Sequence, residues 1–443
     1  MDATRRKLLL TTMFGAGGLG LRALATGIPA GVLATLLDPR TAKAAEPAAD
    51  ACTNPQYIFF CTSDGGDPLN ANVPGCYTGE VYHGPRAEVQ GVSMTMGGKQ
   101  VTGAAAWNSL GDTILARTSF LHHATYTNSH GDGAKVNRLM GAVARQEMAI
   151  SLFAKHLQPC FGTIQAQPMV LANNLITFSG SVQPVLSPQA LAAVLAAPAS
   201  PLLDLQKIRD KHVDQLNALF KQSGTQAQRA ILDTYANSQQ QARSLSQDLL
   251  ADLGSIRGSS RQDQNTAAAA LFKMNVSPVA VGRYGFGGDN HGDQALNGET
   301  NELIASVAGI QDLMTKLTKY GLQDKVTIAF QNVFGRSLKI SAHENNIDGR
   351  NHNSNHHATV LIGANVKSSV IGGVKQTSNG YDYQATGIDS ASGNSNEAGD
   401  IPFNDTFSSV GKTFGRAVGV AQAVLDDAVG GINQGKVITA AVK

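Results

Sequence analysis

Five of the eleven histidines in this 443-residue chain fall in two short stretches. His291 stands with Asp289 in FGGDNHGDQ, residues 286 to 294, and His343, His352, His356 and His357 lie between two apolar, β-prone runs, Val326 to Phe330 and Ala358 to Ile362. Neutral imidazole and carboxylate are the ligands that zinc and similar divalent ions take, so the pattern reads as a metal-centred site at strand ends. Asn128-Ser129-His130-Gly131-Asp132 precedes a helical pattern with Val136, Leu139, Met140 and Val143 on one face. Amide groups at a helix start attract anions and could activate the Ser129 hydroxyl, with His130 and Asp132 beside it. N-capping by Ser129 or Asp132 accounts for the same residues. A third polar loop, TSDGGDPLN, follows the apolar run QYIFFC and offers Asp64, Asp67 and Asn70, with a plain Asp-Gly turn as the alternative. Arg336, just past Phe330, is a candidate for holding an anion, or else a solvated or salt-bridged residue. Hydrolysis of a phosphate or sulfate ester needs charge stabilisation on the non-bridging oxygens and a positioned nucleophile. Asp67, Asp289, His291 and His352 could hold one ion for that purpose.

The elements that must position these residues read as an α/β protein. Strands are expected at Gln56 to Cys61, Ile114 to Phe120, Pro278 to Arg283, Val326 to Phe330 and Ala358 to Ile362. Helices are expected at Ala267 to Met274 and Glu299 to Tyr320, and one closing helix at Thr406 to Gly430. Strand, loop, helix, strand is the rhythm of a parallel sheet with right-handed crossovers, and loops at the carboxyl ends of such strands share one edge. From Ala190 to about Ile256 the apolar residues recur at helical spacing, with a break near Ser223-Gly224. This predicts a helical hairpin at 200–256, packed on the sheet or standing off it, with a surface open to a protein partner. Ser260 to Thr266 reads as a polar joint, and residues 372–405, rich in Ser, Asn, Gly and Asp, as irregular chain.

Composition narrows the class. The chain is 42% apolar and 15% charged with a formal charge of +2, which suits a large globular core. It shows no dense Lys/Arg face, so nucleic-acid binding is not expected. Residues 1–45 read as an export signal: Arg5-Arg6 followed by leucines, a weakly apolar glycine-rich stretch, then Ala42-Lys43-Ala44 before Ala45. An N-terminal membrane helix is the rival reading, which Arg22 and the glycines disfavour. A periplasmic or secreted protein follows, with no membrane span after processing and one domain over 46–443. Cys52, Cys61, Cys76 and Cys160 all lie in the exported part. One or two structural disulfides are expected there, without a sequence-based choice among the three pairings. Their spacing contains no CxxC, so a zinc-thiolate site is not expected.

Taken together, the twin arginine, GGDPLN, the SHGD segment, GGDNHGDQ, YGLQDKVTIAF, FGR, NH and HHATVLIGANV resemble the exported DUF1501 family over most of the mature chain, apart from the helical pair. That family is grouped with the alkaline phosphatase and sulfatase-like superfamily. The resemblance implies an α/β/α sandwich around a mainly parallel sheet, metal ions held by Asp and His at strand ends, and a nucleophile at a helix start attacking phosphate or sulfate esters. Position by position, it sets Asp67 on the family's first-loop Asp, Asp289 and His291 on its Asp-Thr-His, and Asn351 and His352 on its Asp-His. Two positions depart: Val333 stands where the family writes an acid before Phe-Gly-Arg, and Asn351 replaces the acidic partner of His352. A carboxamide keeps an oxygen ligand but loses the charge that offsets a cation. His356 and His357 are the nearest replacements. The expectation is therefore an exported hydrolase-like protein with a degenerate site for zinc, manganese or calcium and a small anionic ester as substrate. The alternative is a non-catalytic exported binding or assembly protein that retains the fold.

Overall fold

The computed structural model describes residues 56–139, 147–195, 203–226, 228–229, 232–233, 236, 247–340, 349–428 and 435–443. The export-signal stretch, Cys52, His343 and much of the second half of the expected helical pair lie outside the described residues. Seven strands form the central sheet: β1 (Tyr57–Ser63), β2 (Thr118–His123), β3 (Met169–Val170), β4 (Val279–Gly282), β5 (Val326–Asn332), β6 (His357–Ile362) and β7 (Ser369–Ile371). Their order is β7-β2-β6-β5-β1-β4-β3. The β1/β4, β1/β5, β3/β4 and β2/β7 pairs are parallel, and β6 alone runs against both its neighbours, β2 and β5. The result is a mixed α/β protein with a mainly parallel central sheet.

All seven residues of β1, YIFFCTS, are buried. A continuous apolar run of this kind marks a strand covered on both faces. Phe59 and Cys61 point into one apolar cluster and Ile58 and Phe60 into the other. The helices include, in chain order, α1 (Gly133–Leu139), α2 (Ala149–Phe161), α3 (Leu203–Ser223), α4 (Arg261–Lys273), α5 (Asn297–Lys319) and α6 (Thr406–Ala417). Leu271 and Phe272 of α4 and Leu303, Ile310 and Leu317 of α5 pack on the Phe59 face. Phe153 and Leu157 of α2 with Phe407, Val410 and Phe414 of α6 pack on the Ile58 face. Burying each such side chain is worth about 1.5–3 kcal/mol, so these two layers hold the sheet rigid beneath its loops.

Several expected boundaries shift for local reasons. Helix α4 begins at Arg261 inside the expected polar joint, because Ser260 caps it: its hydroxyl accepts from the Asp263 N–H while the Asp263 carboxylate accepts from the Ser260 N–H. The strand expected at Ile114 starts only at Thr118, since residues 111–115 close a short helix whose Ala116 and Arg117 amides bond back to Asp112 and Ile114. The closing helix is two helices, α6 and Gln422–Ala428, separated at Gly419, whose φ of +89° leaves the helical region. The 372–405 stretch holds short paired segments, Val374–Gln376 with Tyr383–Ala385, isolated bridges at Gly372 and Ile388, and a 3-10 turn over Phe403–Asp405. In α3, Ile208, Leu216, Leu219 and Phe220 are exposed. No helix among the described residues is long and apolar enough to cross a membrane.

The direction of β6 decides where the polar loops go. The loops after β1, β2, β4 and β5 open at the carboxyl edge of the parallel strands. Because β6 runs the other way, the residues that precede it, His352 to His356, arrive at that same edge. The chain from β5 to β6 makes this return through a two-residue antiparallel pair, Gly335–Arg336 with His352–Asn353.

Candidate metal and ester site

At this edge His130, Asp289 and His352 face one another. Their ligand atoms all lie within 4.8 Å of each other, and His130 Nε2 is 3.8 Å from Asp289 Oδ2. His130 Nδ1 donates to the Asp64 carbonyl at 2.8 Å, and His352 Nδ1 donates to the Asn128 carbonyl at 2.8 Å. A carbonyl can only accept, so in each neutral ring the proton sits on Nδ1 and the Nε2 lone pair turns to the common space. This is how metal-binding histidines are commonly oriented, with the second nitrogen tied to a carbonyl. His352 Nε2 is buried and has no hydrogen-bond partner among the described residues. The rings of His130 and Phe334 pack on His352, with centroids 4.9 and 4.3 Å away. Phe334 is held by the first loop: a Cβ on Gly66, whose φ is +59°, would lie 2.0 Å from the Phe334 ring, so this position needs glycine.

Arg336 lies behind these ligands and is fully buried. Its Nη2 donates to Asp289 Oδ1 at 2.9 Å and to the Gly65 carbonyl at 2.8 Å, and its Nη1 donates to His291 Nε2 at 3.1 Å. The guanidinium has no acceptor, so His291 carries its proton on Nδ1, which is buried without a partner among the described residues. Burial first, and the Arg336 charge second, push the imidazoles of His291 and His352 below the usual range. Both are therefore neutral near pH 7. With its side chain enclosed and directed at Asp289, Arg336 positions the site and is not exposed to a ligand as the sequence alone allowed.

Asp67 and His356 belong to a second layer beneath this group. The Asp67 carboxylate accepts from Asn332 Nδ2 at 2.7 Å and from the Leu69 N–H at 3.2 Å, and stands 3.7 Å from His357 Nε2. His356 is enclosed with Cys76 and His122, a second set of side chains with metal-ligand geometry. Here the hydrogen bonds already form a neutral chain. Asn70 Nδ2 donates to His356 Nδ1 at 3.1 Å, His356 Nε2 donates to His122 Nδ1 at 2.9 Å, and His122 Nε2 donates to the Pro74 carbonyl at 2.9 Å. An ion would have to displace the proton between the two rings, and burial raises the Cys76 thiol pKa, so this set fits a metal less well than the first. Cys61 and Cys76 are free thiols, while Cys160 is disulfide-bonded.

The remaining expected site residues serve the loops. Ser129 is exposed on the turn that carries His130, and its N–H donates to Thr127 Oγ1 at 3.1 Å. Asp132 accepts from Thr127 Oγ1 at 2.5 Å and faces Lys135 at 3.6 Å. The following helix α1 has only seven residues and starts at Gly133, after a 3-10 turn over His130–Asp132, so Ser129 is not at an α-helical N-terminus. The Asn351 side-chain oxygen accepts from the His352 N–H at 2.9 Å. Val333 is buried in the apolar cluster on the α2/α6 face.

Two groups escaped the sequence reading. Glu299, in the first turn of α5, pairs with Arg350 through Nε at 2.7 Å and Nη2 at 3.1 Å, with both side chains buried. Glu299 also accepts from Asn72 at 2.7 Å and Asn290 at 2.9 Å, and Arg350 donates to the carbonyls of Ser337, Leu338 and Tyr82. The Gly349 N–H donates to the His291 carbonyl at 2.7 Å. The loop bearing Asp289 and His291 is thereby stitched to the loop bearing His352. Position alone distinguished neither residue in the sequence. The second group, His122 and His123, did carry a signal: His-His-Ala-Thr occurs twice, at 122–125 and 356–359. Strands β2 and β6 pair so that His123 lies opposite His357.

No curated protein matches the chain. The model of a family described as "Protein of unknown function (DUF1501)" matches residues 153–391, more than half of the chain. The matched segment holds α4, α5, β4 to β7 and, within the site, Asp289, His291, Arg336, Arg350 and His352, whereas His130 comes from outside it. By this match the chain belongs to the DUF1501 family.

Proposed function

We propose that this protein is an exported, alkaline phosphatase-like hydrolase of phosphate or sulfate esters, with one divalent metal held by His130, Asp289 and His352. The observation that carries the reading is the pair of imidazoles whose Nδ1–H groups are fixed on the Asp64 and Asn128 carbonyls, so that both Nε2 atoms face Asp289. The set suits zinc or manganese: ligands at about 2.0–2.2 Å around a tetrahedral ion lie about 3.3 Å apart, and the 3.8 Å between His130 and Asp289 closes with small side-chain rotations. When bound, the ion would supply Lewis-acid stabilisation of the ester's non-bridging oxygens. The chain's own residues do the rest. Arg336 holds Asp289, burial together with the Arg336 charge keeps His291 and His352 uncharged, and Phe334 walls the site on one side. The net reaction consumes one water: the ester P–O or S–O bond breaks, the alcohol leaves with a proton, and the free phosphate or sulfate carries the water oxygen.

The Arg336 to Asp289 ion pair favours one further reading, a non-catalytic binding protein in which an internal guanidinium stands in for a cation. Elemental analysis of untagged protein, together with turnover of an aryl phosphate and an aryl sulfate, separates the two. The hydrolase reading expects about one metal per chain and measurable turnover, both lost in His352→Ala and His130→Ala. Metal-free protein that stays inactive when zinc or manganese is added would overturn it in favour of the binding protein.

A further inference from the structure

A cleft of about 610 Å³ opens beside His352. Its wall includes His352 itself, together with Asn128, whose carbonyl orients the His352 ring, and Asn351, whose side chain accepts from the His352 amide. Asn355, Asn379, Tyr381 and Gln384 extend the lining away from the site. Among the described residues neither Lys, Arg nor Glu lines the cleft, and the one carboxylate among them is used internally. Asp382 is buried and accepts from the Leu338 and Lys339 amides at 2.9 and 3.2 Å and from Asn353 Nδ2 at 2.9 Å. Asn353 Oδ1 in turn accepts from the amides of Asn355 and His356 at 2.8 and 2.9 Å. The floor is therefore fixed before any ligand arrives, which lowers the ordering cost of binding.

Such a lining selects a chemical class. The Asn351 oxygen accepts from the His352 amide and the Asn379 oxygen from Thr377 Oγ1 and the Tyr381 amide, so the wall presents amide groups held in place, and side-chain amides, which both donate and accept, match the neighbouring hydroxyls of a sugar ring. The Tyr381 ring, 44% exposed, offers an apolar face for ring C–H groups. Among the described residues of the lining a polyanion finds no Lys or Arg, and a hydrophobic ligand or an amphipathic peptide helix finds no apolar pocket. Building on the ester-hydrolase reading, we propose that the cleft is the saccharide subsite: the substrate is a sulfated or phosphorylated glycan whose ester group lies at His130, Asp289 and His352 while a neutral sugar ring occupies the cleft.

Calorimetric titration of the full exported protein with cellobiose, lactose, maltose and N,N′-diacetylchitobiose tests the cleft without any chemistry. At least one should bind, Tyr381→Ala should weaken it about tenfold, the equivalent of about 1.4 kcal/mol, and Tyr381→Phe should restore it because the ring is kept. Gln384→Ala provides a second variant should Tyr381→Ala fold poorly. In the kinetic arm, kcat/KM for a sugar sulfate or sugar phosphate should fall about tenfold in Tyr381→Ala, while an aryl ester, which lacks the sugar, keeps its rate. Sugar binding that depends on Tyr381, without turnover of any ester, would sink the hydrolase reading and leave the saccharide site standing. Turnover of aryl esters with no sugar bound, and with sugar-ester kinetics indifferent to Tyr381 and Gln384, would overturn the saccharide site and leave the hydrolase. Loss of both signals overturns both.

Discussion

Asn351 is the residue at which the expected acid is missing, and its surroundings show what that costs. Its side-chain oxygen already accepts from the His352 N–H, so an Asp at this position would keep the acceptor and add a negative charge beside a proposed ligand. Asn351→Asp is expected to raise zinc and manganese affinity by about 10–100-fold, the usual size of such effects around a metal, without unfolding the protein. Competition with a chelating dye measures it, and unchanged affinity would remove Asn351 from the neighbourhood of the ion. Val333 behaves differently. It is buried in an apolar cluster next to Phe334, so Val333→Glu would place an unpaired carboxylate in apolar surroundings. That variant should lose several kcal/mol of stability, about 3–5 by analogy with other uncompensated buried charges, as read from denaturant unfolding, and should not gain metal.

Among the elements, the loops depend on α5 more than on each other. Glu299 and Arg350 form a buried ion pair whose remaining hydrogen bonds are taken up by Asn72, Asn290 and three carbonyls. Removing one partner of such a pair leaves the other charge enclosed and costs about 3–5 kcal/mol. Arg350→Met is thus expected to lower stability by that amount and also to loosen the Asp289 and His352 loops. Hydrogen exchange should show faster exchange at the Gly349 amide, which donates to the His291 carbonyl, with β1 still protected. Equal loss of protection in β1 would show that the pair holds the whole sheet and not the loops. Glu299→Gln tests the same clamp from the other side, since it leaves Arg350 without its charge partner.

At the scale of the molecule, buried histidines set an acid limit on stability. His122 and His83 are pushed down to about 4 by burial, and His123 and His356 lie well below the usual range for the same reason. Above about pH 6.5, the ordinary imidazole value, these rings are neutral both folded and unfolded, and stability does not depend on them. As the pH falls from about 6.5 towards 4, the unfolded chain takes up protons that the folded chain refuses. Each such ring then costs about 1.4 kcal/mol per pH unit. The midpoint of thermal unfolding should therefore hold steady from pH 8 to 7 and drop steeply between pH 6 and 5. In His122→Asn the drop should be shallower, and an unchanged slope would mean that these rings are not what the acid side titrates.

Local pattern determined a good deal on its own. The apolar runs at Val326 and Ala358 are strands β5 and β6, and the period of Leu303, Ile310 and Leu317 is that of helix α5. Asp289, His291 and His352 stood out in the sequence as candidates because imidazole and carboxylate cluster in loops beside those strands, and the structure brings them to one edge of the sheet. The reach of each side chain was decided in three dimensions. Only the antiparallel course of β6 brings His352 to the edge where the parallel strands end, and only pairing with β2 sets the second His-His-Ala-Thr against the first. Asp67 looked like part of the same set in sequence, but the turn after it hands its carboxylate to Asn332. Glu299 and Arg350 are 51 residues apart. A charge pair at that separation leaves no period or spacing in the sequence, because what joins its members is the burial they share once the loops have met over the sheet.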